Sequence, residues 1–307
     1  MTPRRGTAVA IALLGAALAA AGCGLGKGKQ LGSVELTVTR DYGSVQMLRR
    51  AVGDVTESDT VMRVLEREAK ISTRYGGRFV QSVEGLEAEE SFSRSLDWFY
   101  YVNGVEAGVG AADYRLQGGD SIWWDYRDWG AAVGVPAVVG SWPEPFLHGY
   151  DGHRHHVVVE CDGGGIACEI AGERLHQAGT AVDQGAAGDA LRVLVGPWGR
   201  VRDDPAAAQI EKGPRASGVF ADFEQAAGRR GYSLVGLGED GRRRRAFGRE
   251  AGLVAATRRG EGPPVWVVTG TTVAAAQAAA RLLDSADLRN HYAVAVEAGK
   301  EEPLPLR

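Results

Sequence analysis

The sequence predicts an α+β protein with two domains in series. The chain has 307 residues, of which 44% are hydrophobic, so it is too long for one average domain and too apolar for a disordered chain. Residues 31–132 show short alternating strands around a single helix, whereas residues 151–307 alternate strands with alanine-rich helices. Residues 133–150 contain Pro136, Pro143 and Pro145 and are therefore expected to form an extended connection between the two domains.

The first 22 residues have the pattern of a cleavable export signal. Arg4 and Arg5 precede an apolar stretch from residue 7 to 21, which is shorter than the roughly 20 residues that span a bilayer. The segment ends in Ala-Ala-Gly followed by Cys23, which resembles the lipobox of bacterial lipoproteins. That resemblance implies cleavage before Cys23, lipidation of Cys23, a tether over residues 23–30 and a lipid-anchored, extracytoplasmic location at the cell membrane. The alternative is an ordinary secretory signal in which the cysteine is incidental.

The N-terminal domain is predicted as two strands, one helix and at least three further strands. Alternation predicts strands at 33–39, 45–48, 79–83, 96–102 and 121–129. Ser58 and Asp59 supply an N-cap for a helix from residue 60 to 70. Asn103-Gly104 predicts a type I′ turn, because both residues tolerate positive φ. This order is typical of a β-grasp fold, in which one helix packs across a mixed sheet.

Two motifs in this domain carry a resemblance to a known family. They are the W-x-Y-x-V-N-G run from Trp98 to Gly104 and the G-D-x-I-x-W-x-Y run from Gly119 to Tyr126. Residues 31 to 130 thereby resemble the domain of unknown function 4430 family, β-grasp domains related to the C-terminal domain of transcobalamin and intrinsic factor. The resemblance implies a corrinoid as bound ligand, because in the vitamin carriers this domain covers one face of the corrin ring. The helical domain that completes the clamp in transcobalamin is not visible in this sequence.

Aromatic side chains are concentrated near these motifs, since five of the seven tryptophans lie between residues 98 and 142. Rings offer a large rigid contact area at a small entropic cost. If one sheet face packs on the helix, the other could expose rings to a flat small-molecule ligand. The alternative is that the rings only build a core and an interdomain contact. The candidate ligand-binding residues are Trp98, Tyr100, Trp124, Tyr126, Trp129 and Trp142.

The C-terminal domain is predicted as an α/β sandwich. Strands are expected at 157–159, 191–196, 218–223, 265–269 and 292–296, with helices near 204–212 and at 273–283. Two strand–helix–strand units of similar length, from Val195 to Val219 and from Val268 to Ala293, suggest a ferredoxin-like duplication. The four arginines from Arg242 to Arg245 indicate a solvated hairpin or, alternatively, a patch that contacts anionic lipid or wall polymer.

Cysteine and histidine positions predict one disulfide and make three histidines candidate metal ligands. With Cys23 lipidated, Cys161 and Cys168 form an even pair in an oxidising compartment. His153, His155 and His156 are close enough in sequence to hold a metal, but the favoured alternative is a solvated loop that enters a strand, with His155 and His156 on opposite faces. No metal or other cofactor is required by these patterns.

The formal charge of −4 argues against a nucleic-acid partner, and no nucleophile-elbow or zinc-protease motif is present in the sequence. We therefore expect a ligand-binding lipoprotein rather than an enzyme. The most specific version of this prediction is an accessory protein for corrinoid uptake that acts with a transporter complex. The first alternative is an adhesion or scaffold lipoprotein that contacts protein or wall polymer. The second is a glycan-active enzyme that uses Asp125.

Overall fold

The computed structural model describes residues 28–91, 94–183, 185, 188–225 and 231–307. The predicted signal peptide, Cys23 and most of the predicted tether lie outside these residues. In the part of the chain that is described, no helix is both long and apolar enough to cross a membrane.

Mixed sheets dominate the structure and helices are few and short, which agrees with the α+β class. The strands are β1 Gln30–Arg40, β2 Val45–Thr56, β3 Ile71–Arg74, β4 Phe79–Val83, β5 Leu86–Glu87, β6 Glu89–Glu90, β7 Ser95–Val102, β8 Val105–Glu106, β9 Ser121–Asp128, β10 Val157–Cys161, β11 Leu191–Pro197, β12 Ala221–Gln225, β13 Tyr232–Leu237, β14 Arg243–Ala246, β15 Ala251–Arg258, β16 Pro264–Gly270, β17 Ala293–Glu297 and β18 Lys300–Leu304. The helices are α1 Val61–Glu68, α2 Ile166–Gln177, α3 Trp198–Val201, α4 Pro214–Ser217, α5 Val273–Arg281 and α6 Ser285–Leu288, with a 3-10 helix at Ala207–Lys212.

The N-terminal sheet has the order β2-β1-β9-β7-β6, and β8 adds to the edge of β7. Its central pair β1–β9 is parallel, while β2–β1 and β9–β7 are antiparallel. Helix α1 begins after Thr60, whose hydroxyl accepts the N–H of Arg63, so the N-cap lies one residue beyond the predicted Asp59. Apolar side chains of α1 pack on one face of this sheet in a single core cluster. Strand β4 pairs with β3 and β5 in a separate small sheet.

The C-terminal sheet has the order β10-β11-β16-β15-β17-β18. Strands β10, β11 and β16 are parallel neighbours, and β15, β17 and β18 are antiparallel additions. Helices α2 and α5 cover one face, with buried alanines that allow close packing. The other face packs against the small sheet β12-β13-β14 and against side chains from the N-terminal half.

This order corrects the expected ferredoxin-like duplication. The segment predicted as a strand at 218–223 becomes β12, which pairs with β13 outside the C-terminal sheet, so β11 and β12 do not form a strand–helix–strand unit. The second predicted unit, from Val268 to Ala293, is present as β16–α5–β17, with β15 between its two strands in the sheet. The other strand–helix–strand unit of this sheet is β10–α2–β11. Pairing between strands that are distant in the sequence decides this arrangement. The local hydrophobic periodicity of the sequence therefore does not predict it.

A buried polar network joins the two halves of the molecule. The Asp125 carboxyl is fully buried and accepts hydrogen bonds from the Thr39 hydroxyl at 2.5 Å, the Gly43 N–H at 3.0 Å and the Tyr292 hydroxyl at 2.9 Å. Tyr101 donates in turn to the Tyr292 hydroxyl at 3.2 Å. Burial raises the pKa of Asp125 from 3.8 to about 6, against the lowering effect of these donors.

This shift predicts how the stability of the protein depends on pH. The folded state binds the Asp125 proton more tightly than the unfolded state, so its contribution is present below pH 4 and is lost as pH rises through about 6. The loss should be on the order of 3 kcal/mol in the free energy of unfolding. In Asp125→Asn, urea denaturation between pH 4 and 7 should show a correspondingly flatter pH dependence. The exposed control Asp54→Asn should retain the wild-type slope, and an equal slope in both variants would contradict the prediction.

Candidate functional site

Strands β7 and β9 place four of the predicted aromatic residues on one face of the N-terminal sheet. Trp98 is paired with Tyr126 and Tyr100 with Trp124, so these side chains point the same way. The rings of Tyr100 and Trp124 stack with centroids 5.0 Å apart, and those of Trp98 and Tyr126 lie 5.2 Å apart. They belong to the same core cluster as the apolar side of α1.

The expectation of an exposed aromatic face is wrong. Trp98, Trp124 and Tyr126 are each no more than 5% exposed, because α1 and its neighbouring loops cover this face. The opposite face, which carries Tyr101 and Trp123, is covered by the C-terminal half. Trp123 donates to the Thr39 hydroxyl at 2.7 Å and so joins the network around Asp125.

The remaining two predicted residues lie elsewhere. Trp129 follows the end of β9 and is half-buried. Trp142 packs against Phe146 and Trp266 in the core beneath α2 and α5, with ring centroids 5.7 and 5.5 Å away. The structure therefore brings together four of the six predicted rings.

Three of these four rings, those of Trp98, Tyr100 and Trp124, border a cavity that we call the aromatic pocket. Its volume is about 240 Å³, and its walls come from β4, β7, β9, α1 and the loop after β8. The wall residues used below are Met62, Phe79, Trp98, Tyr100, Ala111 and Trp124. Met62, Phe79 and Ala111 are not among the predicted site residues, although the apolar N-terminal turn of α1 and the aromatic residue at the start of β4 are visible in the sequence.

One polar atom in the aromatic pocket has no partner. Trp98 Nε1 donates to the Leu86 carbonyl at 3.0 Å, Tyr126 donates to the Glu87 carbonyl at 2.6 Å, and the Tyr100 hydroxyl donates to the carbonyl of Val109. Trp124 Nε1 is buried and makes no hydrogen bond to any of the described residues. A buried indole N–H is normally paired, so this unpaired donor beside the pocket is an exception to that rule.

Two carboxyl groups also line the aromatic pocket. Burial raises the pKa of Asp97 and of Glu106 above their ordinary values. Arg78, on the same wall, forms an ion pair with Asp113 on the loop after β8. The wall is thus mainly apolar with acidic groups beside it.

The two sequence motifs fix the hairpin that leads into this loop. Asn103 and Gly104 have φ values of 53° and 73°, which confirms the expected turn. The Asn103 amide donates to the Asp120 carboxylate and to the Gly149 carbonyl, both at 2.9 Å, and its oxygen accepts the Ser121 N–H. Gly119 has a φ of 91°, and a Cβ there would lie 2.5 Å from His148 Nε2. The motif residues therefore have structural roles beside the pocket.

The histidine segment shows no metal cluster. His153 is exposed, His156 pairs with Asp183 at 2.7 Å, and His155 stacks on Tyr150 with centroids 4.3 Å apart. Within the described ranges, no group of three or more His, Cys, Asp or Glu side chains is arranged to hold a metal ion. Cys161 and Cys168 are joined by a disulfide, with their Cα atoms 5.9 Å apart.

Two other candidates have local explanations. Asp125, proposed above as the carboxylate of a glycan-active enzyme, is fully buried and does not reach a solvent-filled cleft. The arginine run forms the exposed strand β14 and its preceding turn, where Arg243 pairs with Glu224 and Arg244 with Asp240.

Comparison with known proteins finds a family match for one part of the chain. Residues 58–128 match the family model described as "Domain of unknown function (DUF4430)". No curated protein matches. Among solved structures, a crystal structure of "a putative metal binding protein" from Ruminococcus gnavus is similar at 16% identity and a TM-score of 0.25, covering 32% of this chain and 97% of its own. At that TM-score the likeness supports no conclusion about this chain.

The hairpin predicts a measurable loss of stability. Asn103→Ala removes three side-chain hydrogen bonds from a buried turn and leaves the Asp120 carboxylate without one donor. The free energy of unfolding should fall by about 2–4 kcal/mol in urea denaturation. Asn290→Ala is the matched control, because Asn290 has a similar φ of 59° but only one exposed side-chain bond to Gln46. If the free energy of unfolding falls no further than in Asn290→Ala, the positive φ at position 103, and not the side-chain hydrogen bonds, would explain the asparagine.

Proposed function

We propose that this protein is a membrane-anchored extracytoplasmic lipoprotein that binds a ring-bearing small molecule in the aromatic pocket. The observation that carries the binding proposal is the unpartnered, buried Trp124 Nε1 in the pocket wall. Apolar pockets with a few placed polar groups are the usual sites of small-molecule binding. The leader sequence before Cys23 supports the anchor.

The chemistry of the wall favours a flat nitrogen heterocycle. The stacked rings of Tyr100 and Trp124 offer apolar surface, and Trp124 Nε1 requires an acceptor lone pair. Asp97 and Glu106 disfavour an anion and would favour a ligand N–H or a partial positive charge. A heterocyclic base combines an acceptor nitrogen with a donor or cationic site.

The volume of the pocket sets a limit on what enters it. At about 240 Å³ it lies below the roughly 300–1,000 Å³ of sites that enclose a whole drug-sized ligand. A corrinoid would therefore insert only a ring-sized part, and the remainder would lie outside. Exposed apolar side chains beside the opening could contact that remainder, because Tyr75, Phe79 and Val109 are 79%, 41% and 52% exposed.

The strand order supports assignment of the N-terminal half to the β-grasp class. A central parallel pair, β1–β9, is flanked by antiparallel β2 and β7, and α1 crosses one face. We propose a corrinoid or a related cofactor as the ligand and a membrane transporter as the partner. The family resemblance of the two motifs supports this proposal.

Ligand binding can be tested directly on the full chain. Native mass spectrometry of the purified protein should show a retained ring-bearing ligand. Isothermal titration with dimethylbenzimidazole and with cyanocobalamin should show saturable binding. Trp124→Phe should weaken it about tenfold, because it removes the N–H donor and keeps an aromatic ring.

Trp142→Phe is the matched control, since the same substitution is made outside the aromatic pocket and should leave affinity unchanged. Absence of binding to either probe at high micromolar concentration would overturn the small-molecule proposal. Binding to purified cell wall alone would then favour the adhesion alternative.

A further inference from the structure

A second cavity lies in the C-terminal half, between the start of β10 and the end of α2. Its volume is about 340 Å³, and its walls include Phe146, Leu147, Arg154, His155, Val157 and Thr180. None of these residues belongs to the aromatic pocket. We call this cavity the β10–α2 pocket.

Two residues that line the β10–α2 pocket each have a buried polar atom without a partner. Thr180 is 4% exposed, and its Oγ1 makes no hydrogen bond to any described residue. His155 is half-buried as a residue, but its Nε2 atom is buried and also makes no hydrogen bond to any described residue. Each unpaired buried polar atom is unfavourable, and two in one cavity point to a ligand that satisfies both.

The contacts of His155 define what its free nitrogen requires. His155 Nδ1 lies 3.1 Å from the Asp189 carbonyl, which can only accept, so Nδ1 carries the proton. In the neutral ring, Nε2 is therefore an acceptor. Stacking on Tyr150 holds the ring in this orientation. A ligand must offer a donor to His155 Nε2 and a donor or acceptor to Thr180 Oγ1.

The surrounding charge favours an uncharged ligand. Thr180 follows the C-terminal end of α2, where the helix dipole is negative and disfavours an anion. Arg154 is exposed at the rim and disfavours a cation. Hydroxyl groups donate and accept at once, and Phe146, Leu147 and Val157 offer apolar surface to a ring.

From these observations we propose that the β10–α2 pocket binds a single saccharide ring, with ring hydroxyls on His155 Nε2 and Thr180 Oγ1. The volume is near the lower end of the roughly 300–1,000 Å³ range of small-molecule sites, which suits one sugar ring. The ring can be a free monosaccharide or the end of a glycan, because the hydroxyl chemistry is the same.

The test is an NMR titration of the full chain with ¹⁵N-labelled histidine. Glucose and N-acetylglucosamine represent free sugars, and chitotriose represents a glycan end. Saturable binding should shift the His155 Nε2 resonance as it accepts a hydrogen bond. Thr180→Val and His155→Asn should each weaken binding about tenfold or more. His156→Asn is the matched control, since His156 pairs with Asp183 and does not line the pocket.

Stability measurements separate a binding role from a structural one. Thr180→Val removes an unpaired buried hydroxyl at nearly constant volume, so its Tm should be equal to or above that of the wild type. A lower Tm would show that the hydroxyl is satisfied within the fold and would contradict the proposal. The proposal is also overturned if no sugar binds at tens of millimolar, if only inorganic phosphate binds, or if both variants bind like the wild type.

Discussion

The hydrogen bond between the buried Asp125 carboxyl and Tyr292 is the contact on which the arrangement of the molecule depends. It links β9 of the N-terminal sheet to the residue just before β17. Removing a carboxylate from water is unfavourable, and donors from Thr39, Gly43 and Tyr292 offset this penalty. This contact buries the central part of one face of the N-terminal sheet, and the aromatic pocket lies on the other face, beneath α1.

A second charged residue is buried on the same face of β9 and also restricts how this face can pack. Arg127 lies two residues after Asp125 and is also fully buried. Its guanidinium donates to the carbonyls of Ala132 and Val133 at 2.7 and 2.9 Å, and it lies 3.7 Å from the centroid of the Phe99 ring. These contacts hold the chain where it leaves the N-terminal sheet, so the connection to the C-terminal half begins in a defined direction.

Local sequence signals were sufficient to predict much of the N-terminal sheet but not the C-terminal sheet. The Asn103-Gly104 turn and the alternation in β7 and β9 are encoded by neighbouring residues, and the structure confirms them. Helix α2 was missed because its buried positions are two alanines and one leucine, at 167, 171 and 175, which give weak periodicity. The burial of the predicted rings could not be read from the sequence, because residues far along the chain provide the covering surface.

The aromatic pocket follows from a mismatch of lengths between α1 and the strands it covers. Eight helical residues extend about 12 Å, whereas the eight residues of β7 or β9 extend about 26 Å. The uncovered part of the face is closed by the loop after β8, whose Ala107, Gly110 and Ala111 are too small to fill the space above Tyr100 and Trp124. Larger residues in this loop would complete a solid core over Tyr100 and Trp124. A short helix and a small-residue loop therefore leave a cavity beside Trp124, whose buried Nε1 makes no hydrogen bond to any described residue.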